Sequence, residues 1–332
     1  MKHYRLSSTL IMIILLTIAA TTMAACGGTP ANQAATAAPE QGSSELAGTV
    51  AISGAFALYP MMELWTSEFN KLHPDVRFDL SAGGAGKGLA DAVAGAVDIG
   101  MVSRDITPEE EAQGAYWVGV TKDAVFPTVN AQNPVLAQLL KQGVKKEIFE
   151  GIYITGTITN WGQVIGDPTI TDEIHVFTRS DACGAAEVWA KYLGMKQEDL
   201  LGIGVSGDPG VLEAVANDPL GIGYNNLGYA YDNTTGVPVA GTITVPIDGN
   251  ENVQADTDEL LETKQEAVDA VATGKYPSPP ARILNLVTKG KPTGLVQTFI
   301  EWILTDGQQF VGEAGYVQLT QDQLDASLQK IR

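Results

Sequence analysis

Repeatedly in this chain a strand-like run ends in a short turn of small residues and passes directly into a helical pattern. That junction constrains the fold more than any other feature. The most informative example is Arg179–Glu187, R-S-D-A-C-G-A-A-E, which follows the strand-like run 174–177 and enters the helical pattern 183–193. A strand ending in a guanidinium, a turn with one glycine and a helix start make a seat for an anion. The first turn of a helix leaves N–H groups unpaired and carries the positive end of the helix dipole. The same residues also suit an ordinary connection in which Arg179 pairs with Asp181 or a surface carboxylate.

Two earlier stretches repeat the construction. Residues 49–53 form a β-type run, 54–57 a small-residue turn, and 58–72 a helix with Met61, Met62, Trp65, Phe69 and Leu72 at helical spacing, a stripe read as core. The strand-like 76–80 then meets S-A-G-G-A-G-K-G at 81–88 and a second helix ending near Gly95. A phosphate-binding P-loop is excluded there, since Ser81 stands where its first glycine belongs and Gly88 where Ser or Thr belongs. An anion-cradling nest and a merely tight turn both remain open. Next, V-D-I-G-M-V-S-R-D at 97–105 puts Ser103, Arg104 and Asp105 at a strand end, where ligands sit in open α/β sheets.

Helical and strand periods recur along all 332 residues, so the class is α/β, and the length suffices for two domains. A formal charge of −19 argues against nucleic acid and against docking on anionic lipid. It does not exclude a small anion, because N–H groups and one or two arginines act at contact range while distant charges are screened.

The N-terminus reads as a secretory signal over 1–25: Lys2 and Arg5, an apolar run at 10–20, then T-T-M-A-A-C. That run is too short for a comfortable membrane span. Ala24 and Ala25 before Cys26 resemble a bacterial lipobox, with Met23 where leucine is most usual, which implies cleavage and diacylation at Cys26. A plain secreted protein cut near Ala25 is the alternative. Cleavage would remove Lys2 and Arg5 and no carboxylate, carrying the formal charge from −19 to −21 and leaving Cys183 as the one thiol. No internal disulfide is then available. Residues 26–45 form a tether without aromatic or basic residues, a coil reaching roughly 25 Å from a bilayer.

A resemblance becomes specific with the order S-G-A-F-A-L-Y-P, G-G-A-G-K-G-L and D-I-G-M-V-S-R-D. It continues through N-A-Q-N-P-V near 130–135, F-E-G-I-Y-I-T-G-T-I-T-N-W at 149–161, G-I-G-Y at 221–224 and F-I-E-W-I-L-T-D-G-Q at 299–308. These stretches, spread over 46–319, resemble the phosphate-binding proteins of bacterial phosphate ABC importers, within the periplasmic binding proteins. The resemblance implies a two-lobed clamp of type II, with a hinge and a ligand sealed between the lobes. Lobe I is expected at 46–123 with 241–332 and lobe II at 124–240, with crossings near 122–129 and 237–243. It further implies an extracytoplasmic, lipid-anchored monomer that delivers phosphate or a related small anion to membrane permease subunits. Neither an enzyme nor a cofactor or metal is expected.

Carried over residue by residue, the implied ligand contacts are Ala55, Phe56, Ala57 and Leu58 in the first turn, Ala85 and Gly86 in the second, then Ser103, Arg104, Arg179, Asp181, Cys183, Gly184 and Ala185. Hydroxyl-bearing residues usual in the family are replaced at Ala55, Phe56, Ala85, Cys183 and Ala185. The N–H groups of Ala57, Leu58, Gly86 and Gly184 are expected to serve whatever the side chains. The loss of hydroxyls makes the pocket more apolar, so a more apolar anionic ligand is an alternative to phosphate, and a surface or sensor role a further one. Cys183, at a helix start near Arg179, is expected to have a lowered thiol pKa; catalysis by it is disfavoured. His73 and His175 are isolated, Trp161 reads as a packing anchor, and Asn225 and Asn226 are candidates to reach the cleft. Residues 254–274 read as one or two exposed amphipathic helices.

Overall fold

The computed structural model describes residues 46–332, so the expectations for the signal, Cys26 and the tether lie outside the described residues. Nine strands are present there: β1 (Gly48–Gly54), β2 (Val76–Ala82), β3 (Ile99–Val102), β4 (Ala115–Asn130), β5 (His175–Arg179), β6 (Ile203–Val205), β7 (Gly221–Asn226), β8 (Thr242–Thr244) and β9 (Ala281–Lys289). They line up as β2-β1-β3-β9-β4-β7-β5-β6, with β8 against β4. Pairs joined through helices are parallel, β1 with β2 and β3, and β5 with β6 and β7. A parallel pair needs a crossover long enough to hold a helix, which is what each strand–turn–helix junction supplies.

The order hinges on β4, 16 residues long. Its first part pairs antiparallel with β9, from Ala115 against Lys289 to Ala124 against Ala281, with the register shifting between Gly119 and Thr121. Its second part pairs with β7, from Val125 against Asn226 to Val129 against Ile222, and with β8. One unbroken strand therefore belongs to two half-sheets. Antiparallel pairing on both parts places the carboxyl ends of β1, β2 and β3 opposite the turns that follow β5 and β6, as the contacts described below require.

Each half-sheet has its own apolar core. The first gathers β1 to β3, the start of β4, β9 and the helices Tyr59–Leu72, Ala85–Ala94 and Gly294–Leu304. The stripe read from the sequence supplies Met61, Met62, Trp65 and Phe69, all fully buried, while Leu72 is exposed. Phe69 meets Phe299 and Trp302 edge-on at 5.0 and 5.4 Å, and Trp65 Nε1 donates to the Gly307 carbonyl at 2.8 Å. Each such aromatic contributes on the order of 2–3 kcal/mol by leaving water.

The second core holds Phe126, Phe149, Tyr153, Trp161, Trp189 and Tyr224. Trp161 is the packing anchor expected, with Nε1 donating to Leu220 O at 3.2 Å. Val245, Ile247, Ala267, Ala270, Val271 and Tyr276 also lie in this core. The return expected at 237–243 is thus displaced: β8 stays paired to β4, and the chain leaves the second core only on entering β9.

The helical expectation for 254–274 is met only over Lys264–Thr273, which starts on a capping box between Thr263 and Glu266. Upstream, Glu259 spends its carboxylate on the N–H groups of Gly249 and Asp256, holding a turn. Among the described residues no helix is long and apolar enough to cross a membrane.

Candidate functional site

The turns that end β1 and β2 are knitted together first. Gly83 and Gly84 donate to the Gly54 carbonyl at 2.9 and 3.0 Å, and Ala55 donates to Met101 O at 2.9 Å. Gly84 sits at φ 89°, a conformation that side chains resist, and a Cβ there would come within 2.8 Å of the Ala182 carbonyl. That carbonyl belongs to the turn after β5, in the other half of the molecule. The glycine-rich turn therefore exists to let two backbones meet, and Gly86 seals the contact by donating to Ala182 O at 3.1 Å.

A second contact lies beside it. Ser103, buried at the end of β3, packs so closely on Gly184 that any Cβ on Gly184 would strike the Ser103 carbonyl and Oγ. Of the four backbone N–H groups expected to face a ligand, two are spent inside the protein: Gly86 on Ala182, and Leu58 on Ala55 O at 3.1 Å. Ala57 lies in the short helical turn Phe56–Leu58 and Gly184 opens the helix Gly184–Tyr192. Ala55, Ala57 and Ala85 are buried in the first apolar core and Ala185 in the second.

Arg179 stands at the centre. Its side chain is 1% exposed, and its donors go to Asp181 through Nε and Nη2, at 2.8 and 2.6 Å, and to Asp208 through Nη1 at 2.6 Å. The pairing with Asp181 is the alternative the sequence left open. Burial penalises the guanidinium charge, yet Asp208 and Asp181 outweigh that and raise its pKa. Asp181 also accepts from Gly207 N–H at 3.1 Å. Burial pulls its carboxyl upward, but Arg179 holds it below the usual carboxylate range.

Asp208 escaped the sequence reading. Fully buried, it accepts from Asn226 N–H at 2.9 Å and from Asn226 Nδ2 at 2.7 Å, while its own carbonyl accepts from Asn225 Nδ2 at 3.0 Å. The signal was present, since V-S-G-D-P at 205–209 is one more strand–turn–helix junction, leading from β6 into the helix Gly207–Ala216. From Asn226 the network runs on to Arg282, which also donates to Asp123 at 3.0 Å and to Gly184 O at 3.2 Å. Burial pushes the Asp123 carboxyl up to about 6 against the pull of Arg282. Asn225 and Asn226 thus serve the site by fixing Asp208, buried rather than lining an open cleft.

Arg104 is not part of this centre. Glu110 accepts from its Nη1 and Nη2 at 2.9 and 2.7 Å, and Glu187, across the divide, pairs with its Nε at 2.9 Å. Glu110 also caps the helix Pro108–Ala112 in a reciprocal box with Thr107. Next to this pair Lys191 meets Asp105 at 2.8 Å, a second ion pair across the divide.

Cys183 is a capping residue, with Sγ accepting from Ala186 N–H at 3.4 Å. The expected drop in thiol pKa is reversed: burial pushes it up to about 12, and Arg179 offsets only part of this because its charge is already answered by two carboxylates. Among the described residues no group of three His, Cys, Asp or Glu side chains is placed to hold a metal ion. His175 is engaged with Asp218 at 2.6 Å. A cavity of about 960 Å³ opens beside Arg179 and is bounded by Asp105 to Pro108 on one side and by residues of the β5 turn and following helix on the other.

The family model described as a PBP superfamily domain matches residues 36–307. The phosphate-binding protein PstS of Bacillus subtilis is 28% identical over 323 residues, covering 96% of each chain. A solved structure from Clostridium perfringens, a putative phosphate ABC transporter substrate-binding protein with bound phosphate, is 25% identical, with a TM-score of 0.67, covering 82% of this chain and all of the other. An ABC-type phosphate transport receptor from Vibrio cholerae shares the fold, at a TM-score of 0.59 and 19% identity, with 82% of this chain and all of that one covered. With its α/β half-sheets bridged by one strand, its facing strand–turn–helix junctions, and a family match over most of its length, this chain belongs to the PBP superfamily, the periplasmic-binding-protein fold.

Proposed function

We propose that this chain is an extracytoplasmic solute-binding lipoprotein of an ABC importer, and that it captures phosphate or a related small oxyanion between its two cores. The observation that carries the reading is the convergence of helix-start turns from both cores on Arg179, a guanidinium with five N–H groups of which three are spent. One N–H on each Nη is left, the arrangement that holds two oxygens of one oxyanion. The relatives named as phosphate-binding proteins support the ligand class.

In this reading residues 46–123 with 281–332 form one lobe and 124–276 the other. Capture is hinge closure about the strands that join them. The monomer then presents the closed clamp to permease subunits, held near them by diacylated Cys26 and the tether. The chain works as a binding protein and not as an enzyme, because a thiol pushed up to about 12 is not a ready nucleophile near neutral pH.

The test is calorimetric titration of the purified full chain, first unfolded and refolded to strip any ligand, with phosphate and sulfate, alongside Arg179→Met. Wild type should bind at least one of the two, and Arg179→Met should lose about a hundredfold, the worth of two charge-assisted hydrogen bonds. Equal binding by both proteins, or no oxyanion bound at millimolar concentration, would remove the reading.

A further inference from the structure

Phe56 occupies a place that the captured-oxyanion reading does not explain. It comes from the turn after β1, in the first core, yet its ring lies over the guanidinium of Arg179, in the second, at 5.3 Å from the ring centroid. Its far edge faces Gly207, where a Cβ would come within 3.1 Å of the ring, and Gly207 holds φ at 74°. A bare glycine at the start of the Asp208 helix is thus what leaves space for the ring. Two N–H groups of Arg179 remain unspent, but the side chain is almost wholly covered, and Phe56 covers it from the first core. Phe56 itself is only partly buried, so the ring presents apolar surface outward as well as to the cation.

We propose that Phe56 is a specificity-determining residue: it weakens the hold of Arg179 on a compact, strongly hydrated oxyanion and favours an oxyanion that carries an apolar substituent. The inference rests on the oxyanion reading and narrows its ligand class to organic anions such as substituted phosphonates. An inorganic tetrahedral anion reaching the Nη edge must shed water beside a ring that returns no hydrogen bond. A substituted anion brings its own apolar part to that surface. The adjoining cavity of about 960 Å³ is far larger than a tetrahedral ion needs and lies in the range of pockets for drug-sized organic ligands. Ile106, Met195 and Leu200 give it apolar lining, while Lys191 and Gln197 supply polar ends. The cation–π contact adds a cost to any ligand that must move the ring to reach the guanidinium.

The experiment titrates wild type, Phe56→Ser and Phe56→Leu, as full chains, with inorganic phosphate and with phenylphosphonate, after near-UV circular dichroism and melting confirm that each is folded. Wild type should prefer phenylphosphonate by about tenfold or more. Phe56→Ser should reverse the ratio, gaining about tenfold for phosphate while losing phenylphosphonate. Phe56→Leu, which keeps apolar bulk and removes the π face, should leave phosphate the weaker of the two ligands. An unchanged ratio in folded Phe56→Ser, or a wild type that prefers phosphate, overturns the role of Phe56 while leaving oxyanion binding intact. If no protein in the set binds either anion, the oxyanion reading fails and this inference with it.

Discussion

Asp208→Asn isolates the contribution of the buried ion pair with almost no change of volume. In the wild-type protein Oδ2 of Asp208 accepts from Arg179 Nη1 at 2.6 Å and Asn226 Nδ2 at 2.7 Å, and Oδ1 accepts from the Asn226 N–H at 2.9 Å. Either orientation of an amide at 208 points its NH₂ at a donor, and it also leaves Arg179 short of a charge in a site from which water is excluded. Breaking a buried pair by altering one partner costs about 3–5 kcal/mol. For a unit of this size that lowers the melting temperature by roughly 10 °C. Urea unfolding at pH 7 reads the loss directly, with the slope compared to confirm that compactness is unchanged. The double variant Arg179→Met/Asp208→Asn removes the stranded charge, so its loss should fall short of the sum of the single losses by at least about 1 kcal/mol. A single-variant loss below about 1 kcal/mol, or strict additivity, would refute the claim that Arg179 depends on Asp208 for its charge.

Three further outcomes follow from the geometry. Cys183, buried and with its thiol pushed up to about 12, should resist alkylation at pH 8 in the native protein and react at once in urea; native reaction at the rate of a free thiol would contradict the packing. Burial depresses the Lys264 ammonium to about 8, against an ordinary value of about 10.4, so the unfolded chain binds more proton between those limits. The stability that this group contributes is present above the unfolded value and lost as pH falls through about 8. The wild-type stability minus that of Lys264→Met should accordingly rise from pH 8 to 10, and a flat or falling difference would count against it. Glu187→Gln combined with Lys191→Met removes both ion pairs across the divide; small-angle scattering of the stripped protein should show a larger radius of gyration than wild type, more so at low salt. An unchanged radius would mean that the backbone contacts at Ala182 and Gly184 hold the halves unaided.

Much of the fold was legible because its signals are local. The turn at 83–84 and the stripe from Met61 to Phe69 are written in short-range spacing. The α/β class follows from such signals. What was not legible depends on approach across the divide. Nothing near Arg104 announces that Glu187, 83 positions later, will take its Nε. Likewise the effect of Arg179 on Cys183 was misjudged, because two carboxylates neutralise that arginine and one of them comes from a different helix. The membership of 242–276 was misplaced for a similar reason: β8 is three residues long, and its pairing with β4 is decided by partners far off in sequence.

The shared strand β4 also sets an order in which the chain can be assembled as it leaves a ribosome or a translocation pore. The second core draws almost wholly on the continuous stretch 124–276, so nearly all of its residues, Val317 excepted, are at hand before β9 emerges. The first core, although it begins earlier, lacks Leu284, Leu286, Phe299 and Ile303 until the end of the chain arrives. Until then β3, apolar along its whole length, and the first part of β4 have unfilled edges where β9 will pair. Such edges recruit other chains. The interval between residue 130 and residue 289 is therefore when this protein has most need of a chaperone, and slowing synthesis within it should increase aggregation more than slowing it elsewhere.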